Sequence, residues 1–284
     1  MKQIPVVSLP QSTNEPILLG NFNIRRLQDF IGDQGMSSEP HRHSFYFILA
    51  IEKGEGDHEI DFTHYQLAHR CIFILRPGQV HQLSVKAKTR GFLMQFNADF
   101  YQPKNGKVAQ FFRRASHKSF CQLPEETFSR INSTLNTIFR EAKEQQQGHL
   151  EAINALLDTF FIELIRNASE NRPSTDKYEQ ERLEELQELL EKHIATEKQV
   201  SFYTSALNLS AFQLNSITKK VLGKTASELI NEQVVLEARR QLLGTSNQVS
   251  QIAFSLGYDD PSYFIRFYKK HTGLTPEAYR KKFS

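Results

Sequence analysis

The chain has 284 residues, 39% of them hydrophobic and 24% charged, and a formal net charge of +3. That length exceeds what one small core needs, so two domains are expected, and the net charge is too small to establish a polyanionic partner by itself. Two cysteines far apart, Cys71 and Cys121, exclude a disulfide framework or a thiolate zinc site and fit a reducing cytosol.

The N-terminal stretch MKQIPVVSLPQSTNEP is broken by Pro5 and Pro10 and lacks the apolar core of a signal peptide. The longest apolar run, residues 45–51, falls far short of the ~20 residues a membrane helix needs. A cytoplasmic protein with no membrane partner is expected. Residues 17–97 read as short strands: 44–51, a hairpin at GEGDHEIDF, 71–75, 81–85 and 91–96, rich in β-branched and aromatic residues and punctuated by Gly and Pro. About eight such strands in close succession predict a sandwich or barrel.

Over residues 107–167 the period changes. Phe128, Ile131, Leu135, Ile138 and Ala142 step by three and four, as do Leu150, Ile153, Leu157, Phe160 and Leu164 after a break at 145–148. This stripe on helices 125–145 and 149–167 has two readings, a cover for one face of the barrel or the seam of a homodimer, and a homodimer is expected. The polar stretch around Pro173 and Ser174 marks a linker at 168–177. Everything from Tyr178 on reads as helix. Leu183, Leu186, Leu190 and Ile194 form the buried stripe of a Glu-rich helix whose acidic side is a solvated face or an acidic interaction surface.

The C-terminal region matches itself without a gap at an offset of fifty residues. LSAFQLNSITKKVLGKT (209–225) falls on DDPSYFIRFYKKHTGLT (259–275). Ser210 and Asp260 are both good N-caps, and Ala211 aligns with Pro261 at the favoured first helical position. Leu214 and Ile217 align with Phe264 and Phe267 as the inward face. Gly223 and Gly273 end the helices, and Thr225 opens a capping box with Glu228. Short helices at 201–208 and 249–256 and tight turns precede both copies, which is helix-turn-helix geometry. A helix at 226–243, with Leu229, Val234 or Val235, Ala238 and Leu242 turned inward, joins them and would fix their spacing. From Lys198 onward twelve basic residues stand against six acidic ones, so positive charge gathers here.

VSQIAFSLGYDDPSYFIRFYKKHTGLTPEAYRKKF (249–283) resembles the C-terminal signature of the AraC/XylS family of bacterial transcription regulators, and the likeness extends from about Tyr178 to the end. Departures are Thr204 for a usual Ala, Thr218 for a common aromatic, and Gln248 for a usual Ser. The resemblance implies an α+β protein. A cupin-like effector-sensing barrel (1–106) and a helical dimerisation or cover segment (107–167) precede a linker (168–177) and an all-α domain with two helix-turn-helix units (178–284).

Positions opposite the inward stripe would face a DNA groove. In the first unit these are Phe212, Asn215 and Ser216; Asn can pair with adenine, and Phe can meet a thymine methyl or pack on the neighbouring turn. In the second they are Ser262, Tyr263 and Arg266, the arginine taking guanine or a phosphate. Ser210, Lys219, Lys220, Lys269 and Lys270 are placed for phosphates.

In the N-terminal region, Gly35, His41, His43, Pro77, Gly78 and His81 are spaced like the two motifs of cupin barrels that hold a metal with histidines and one Glu. Phe47 stands where that Glu belongs, and histidines also serve as plain hydrogen-bonding groups, so neither a metal nor another cofactor is expected. In the resembled family this barrel binds a small effector, which makes His41, His43, Phe45, Phe47 and His81, alternating toward one side of their strands, the candidate pocket.

Three functions compete: an effector-sensing regulator, an activator by family habit, that meets double-stranded DNA and RNA polymerase; a constitutive regulator whose barrel only dimerises; and a metal-dependent cupin enzyme. No Ser/His/Asp order, phosphate loop or paired-carboxylate arrangement supports an enzyme site.

Overall fold

The computed structural model describes residues 4–9, 18–103, 105–169 and 174–283. The chain divides into two compact units, Pro5–Asn171 and Arg172–Ser284.

The first unit begins with strands β1 (Val6–Val7), β2 (Leu18–Leu19), β3 (Phe22–Arg26), β4 (Met36–Ser37), β5 (His41–His43) and β6 (Tyr46–Lys53). It continues with β7 (Gly56–Ile60), β8 (Thr63–Leu67), β9 (Cys71–Leu75), β10 (Val80–Val85) and β11 (Arg90–Phe96). Then come α1 (Gly106–Ser116), β12 (Phe120–Gln122), α2 (Glu125–Glu144) and α3 (His149–Ser169). Among the described residues the strands form two sheets. One runs β1-β5-β10-β7-β8 with β4 also on β10, and the other runs β12-β9-β6-β11-β3-β2. Only β1 on β5 is parallel.

The hairpin expected at GEGDHEIDF turns at Asp61 and Phe62, both at positive φ (47° and 66°), the two-residue geometry that matches strand twist. Alternation along the strands explains how the two sheets close on each other. Phe47, Leu49 and Ile51 of β6 share an inner core with Cys71, Phe73 and Leu75 of β9, Leu93 of β11, and Ile60, Leu67, Leu83 and Val85 of the opposite sheet. The intervening residues Ile48, Ala50, Ile72, Ile74, Phe92, Met94 and Phe96 face the other way and are buried against the helices.

That second core takes in the helical stripe. Phe128, Ile131, Leu135, Ile138 and Ala142 of α2 and Ile153, Leu157, Phe160 and Leu164 of α3 are all within 3% of full burial inside one chain. The stripe is packed on the barrel within one chain. Its first residue, Leu150, is the exception and stays 41% exposed. Helix α1 opens the expected helical segment 107–167, with Val108, Phe111, Phe112 and Ala115 at helical spacing, while strand β12, three residues long, is too short to show a period and was not foreseen.

The second unit is all helical: α4 (Ser174–His193), α5 (Val200–Leu207), α6 (Ala211–Leu222), α7 (Ala226–Gly244), α8 (Val249–Ser255), α9 (Pro261–Thr272) and α10 (Pro276–Phe283). The ends of the expected linker 168–177 are helical among the described residues. Helix α3 runs through Ser169 and α4 begins at Ser174, while residues 170–173 lie outside the described ones. Ser-Thr-Asp after a proline is a helix-start signal as much as a linker composition. Leu183, Leu186, Leu190, Tyr203, Leu214, Val234, Ile252, Phe264 and Tyr268 belong to one core that joins all these helices. In α9 the inward pair is Phe264 and Tyr268, whereas Phe267 is half-buried. No helix among the described residues is long and apolar enough to cross a membrane.

Candidate nucleic-acid interface and barrel histidines

Each helix-turn-helix unit is built by a tight turn and a strong cap. Helix α5 ends on Asn208 at φ 53°, with Leu209 N–H donating to the Thr204 carbonyl (2.9 Å). Helix α8 is followed by Gly257 at φ 71°, with Tyr258 N–H donating to the Ala253 carbonyl (2.9 Å). Both are six-to-one closures that need a left-handed residue. The leading helices start at Val200 and Val249, one residue short of the fifty-residue register, and the offset becomes fifty only after the turn.

Ser210 caps α6: its hydroxyl accepts from Gln213 N–H (3.2 Å), and the Gln213 side chain accepts from Ser210 N–H (2.9 Å). Asp260 caps α9 by accepting from Ser262 N–H (2.8 Å), a bond that also holds the Asp260 carboxyl below its ordinary pKa. Gly223 and Gly273, at φ 72° and 78°, end the two helices. Between them α7, nineteen residues long, is a rod of ~28 Å with Ile230, Val234, Val235, Ala238 and Leu242 buried. Its C-terminal end is held by Arg280, whose guanidinium donates to the carbonyls of Leu242 (2.8 Å) and Asn247 (2.7 Å). That arginine, counted in the sequence as part of the basic excess, serves the fold.

The predicted base-reading residues do not all stand alike. Phe212 is 83% exposed, which leaves the packing alternative for this side chain without support. Ser216, Ser262 and Arg266 are exposed, and Tyr263 is 57% exposed, with Arg266 loosely facing Asp260 at 3.9 Å. Asn215 is different. It is half-buried, and its Oδ1 accepts from Ala226 N–H (3.0 Å), tying α6 to the first turn of α7. Two-point pairing with adenine needs that same oxygen, so Asn215 is removed from the groove-facing set. Gln213, not foreseen, is exposed at the position fifty residues before Tyr263. Lys219, Lys269 and Lys270 are exposed at the helix ends, while Lys220 is paired with Glu179 of α4 at 2.7 Å.

In the barrel the five candidate pocket residues come together. His41 stands directly opposite His81 in the β5–β10 pairing. His43, Phe45, Phe47 and His81 are at most 5% exposed, and His41 is half-buried. Phe45 stacks on His43 with centroids 4.3 Å apart, and Phe47 stacks on it at 5.3 Å. His81 is bonded on both ring nitrogens: Nε2 lies 2.7 Å from His43 Nε2, and Nδ1 lies 2.8 Å from His58 Nε2. His58, fully buried, was not foreseen. The signal was present, since Gly56, His58 and Ile60 alternate inward along β7. Burial, with help from neighbouring imidazoles, lowers His43 and His58 to about 3 and drives His81 lower still, so all three are neutral near pH 7. The Cys71 thiol is pushed up to about 11 by burial, which leaves it unreactive.

The chain matches two family models. One is described as a helix-turn-helix domain and matches residues 203–282; the other is described as an AraC-like ligand binding domain and matches residues 30–187. Similar proteins include the HTH-type transcriptional activator RhaR of Mannheimia succiniciproducens, 22% identical over 248 residues, covering 86% of this chain and 87% of that one. The HTH-type transcriptional activator RhaS of Enterobacter sp. is 23% identical over 255 residues, with 85% and 87% covered. Among solved structures, the C-terminal domain of the response regulator yesN from Fusobacterium nucleatum is 29% identical, covers 34% of this chain and 95% of its own, and has a TM-score of 0.32.

Proposed function

Since this chain belongs to the AraC family of transcription regulators, with a ligand-binding N-terminal domain and a helix-turn-helix C-terminal domain, we propose that α6 and α9 each lay an exposed face in the major groove of double-stranded DNA and that the chain activates transcription. The observation that carries this reading is the pair of capped, surface-facing helices fifty residues apart on one ~28 Å rod, which suits successive groove faces about 34 Å apart on one side of a duplex. Phe212, Ser216, Ser262, Tyr263 and Arg266 read base edges, and Lys219, Lys269 and Lys270 meet phosphates. Lys220 reaches a phosphate only by leaving Glu179, and Ser210 contributes as a helix cap that orients α6.

The activator reading is supported by the names of the relatives at 22–23% identity, and a cytoplasmic protein that works beside RNA polymerase is part of the same proposal. A small-molecule effector in the barrel is supported by the ligand-binding family match and by the convergence of His41, His43, Phe45, Phe47 and His81. The dense filling of the barrel by Phe45, Phe47, Leu49 and Phe73 favours a second reading, a constitutive regulator whose barrel only supports assembly. Any homodimer has to use a surface other than the stripe already buried under the sheet.

Selecting bound sequences from a random duplex pool with the full chain tests the DNA reading. Enrichment of a site with two half-sites one helical turn apart is expected, and no preference over bulk competitor sinks it. Thermal shifts across a metabolite library separate the two barrel readings, because a ligand bound by the native state raises stability by RT ln(1 + [L]/Kd).

A further inference from the structure

We propose that the barrel is a binding site for a divalent transition-metal ion of the zinc class, held by the Nε2 atoms of His41, His43 and His81. This deepens the proposed sensing role of the same domain. Among the described residues these three side chains form the one group of three or more His, Cys, Asp or Glu whose ligand atoms fit a common ion, all within 4.8 Å of one another.

The Glu39 carbonyl settles which ring nitrogen His41 presents, and the imidazole–imidazole contacts allow the matching choice at His81 and His43. His41 Nδ1 lies 2.8 Å from the Glu39 carbonyl oxygen, which only accepts, so Nδ1 carries the proton and the neutral ring offers Nε2 as a lone pair. His81 Nδ1 lies 2.8 Å from His58 Nε2, and donating that proton to His58 frees His81 Nε2. His43 Nε2 points at His81 Nε2 from 2.7 Å. In the metal-free fold one of those two nitrogens must carry a proton for the other to accept. An ion between them replaces that single bond with two ligand bonds. A tetrahedral site with Zn–N of ~2.1 Å sets the nitrogens ~3.4 Å apart, so the 2.7 Å pair opens by ~0.7 Å and no pair has to close by more than ~1.4 Å.

The scaffold is suited to that adjustment. Two of the ligands are directly opposite on paired strands and the third follows two residues on, facing the same side. Phe45 and Phe47 hold the His43 ring, and Phe73 lies 4.8 Å from the His58 ring behind His81. The set differs from that of the metal-holding barrels mentioned above: no carboxylate joins it, and His58 supplies the outer support for His81. Three neutral imidazoles leave the ion its full double charge and one open position, suited to water or to an anionic donor.

The test uses the full chain without a polyhistidine tag, stripped with chelator and titrated with Co2+. Expected are one Co2+ per chain with the intense visible absorption of a tetrahedral site, displacement by Zn2+, and at least ~10-fold weaker binding in His41→Ala and His81→Gln. Both variants are checked for an unchanged far-ultraviolet circular dichroism spectrum, and the half-buried His41 is the safer of the two. His64→Ala and His69→Ala, exposed and outside the cluster, should bind as the parent does. Absence of stoichiometric binding, a weak octahedral spectrum, equal affinity in His41→Ala, or loss in His64→Ala or His69→Ala would each overturn the site. The readout involves no DNA, so the metal site and the DNA-reading helices can fail separately.

Discussion

Substituting alanine at Gly257 tests whether the α8–α9 turn is constrained by its neighbours as well as by its own dihedral. Gly257 and Gly223 share nearly the same left-handed backbone, φ 71° and 72°. A Cβ at Gly223 meets nothing within 4 Å, whereas at Gly257 it would collide with the Ala195 carbonyl oxygen and sit 2.9 Å from Lys198 Nζ. The lysine can swing away; the carbonyl, part of the backbone between α4 and α5, cannot do so cheaply. The left-handed conformation alone costs an L-residue about 1–2 kcal/mol. Forcing a methyl group into an occupied space adds about 1–3 kcal/mol. Gly223→Ala should therefore lose about 1–2 kcal/mol and Gly257→Ala about 2–5 kcal/mol. Urea unfolding of the full chain followed by circular dichroism measures both, and anisotropy with a labelled operator reports whether α9 has been displaced. Equal losses in the two variants would refute the steric half of the reasoning.

Asn215→Ala removes the acceptor for Ala226 N–H and should destabilise by about 1–3 kcal/mol, while Asn215→Asp, which keeps an acceptor, should lose less; thermal unfolding distinguishes them. Arg266→Ala should relax sequence preference at one base pair by about 1–3 kcal/mol, and Lys269→Ala should weaken all sequences alike and lower the salt slope by about 1, both read by competition binding across a salt series. Phe212→Ala should leave the melting temperature unchanged, since the ring is exposed, yet weaken operator binding. In the chelated protein, His43 and His58 have folded pKa values near 3 against about 6.5 when unfolded, so only the unfolded chain takes up protons between those limits. Stability is complete above about pH 6.5 and falls as pH drops toward 3; going from about pH 7.5 to about pH 5.5 should cost about 1.4 kcal/mol for each ring. A flat stability profile over that interval would show that these rings are already protonated or solvated in the fold.

Local chemistry was legible in the sequence wherever a few neighbouring residues decide the outcome. Ser210, Thr225 with Glu228, and Pro261 after Asp260 announce helix starts, and Gly223 and Gly273 announce stops; all of them do so in the structure. Periodicity in α2 and α3 gave the buried face but not what buries it, because a stripe of Ile and Leu packs as readily on a sheet as on a second chain. Asn215 looked groove-facing on a helical wheel. Its actual partner, Ala226 N–H, comes near only because the chain reverses after Gly223. Lys220 was counted with the phosphate contacts for the same reason, since Glu179 lies forty-one positions away in the chain. His58 followed the inward alternation of β7, yet nothing in its local sequence indicates that it meets His81 across the pairing with β10.

Strand β6 has almost no solvent side. Phe47 presses on the imidazoles, while Ile48 and Ala50, the next links of the same backbone, bear on the roof of helices. A close-packed plate of this kind cannot yield on one surface alone. Whatever occupies the chamber and shifts Phe47 by a fraction of an ångström will be registered in α2 and α3, where slowed or hastened amide exchange makes the strain visible from outside.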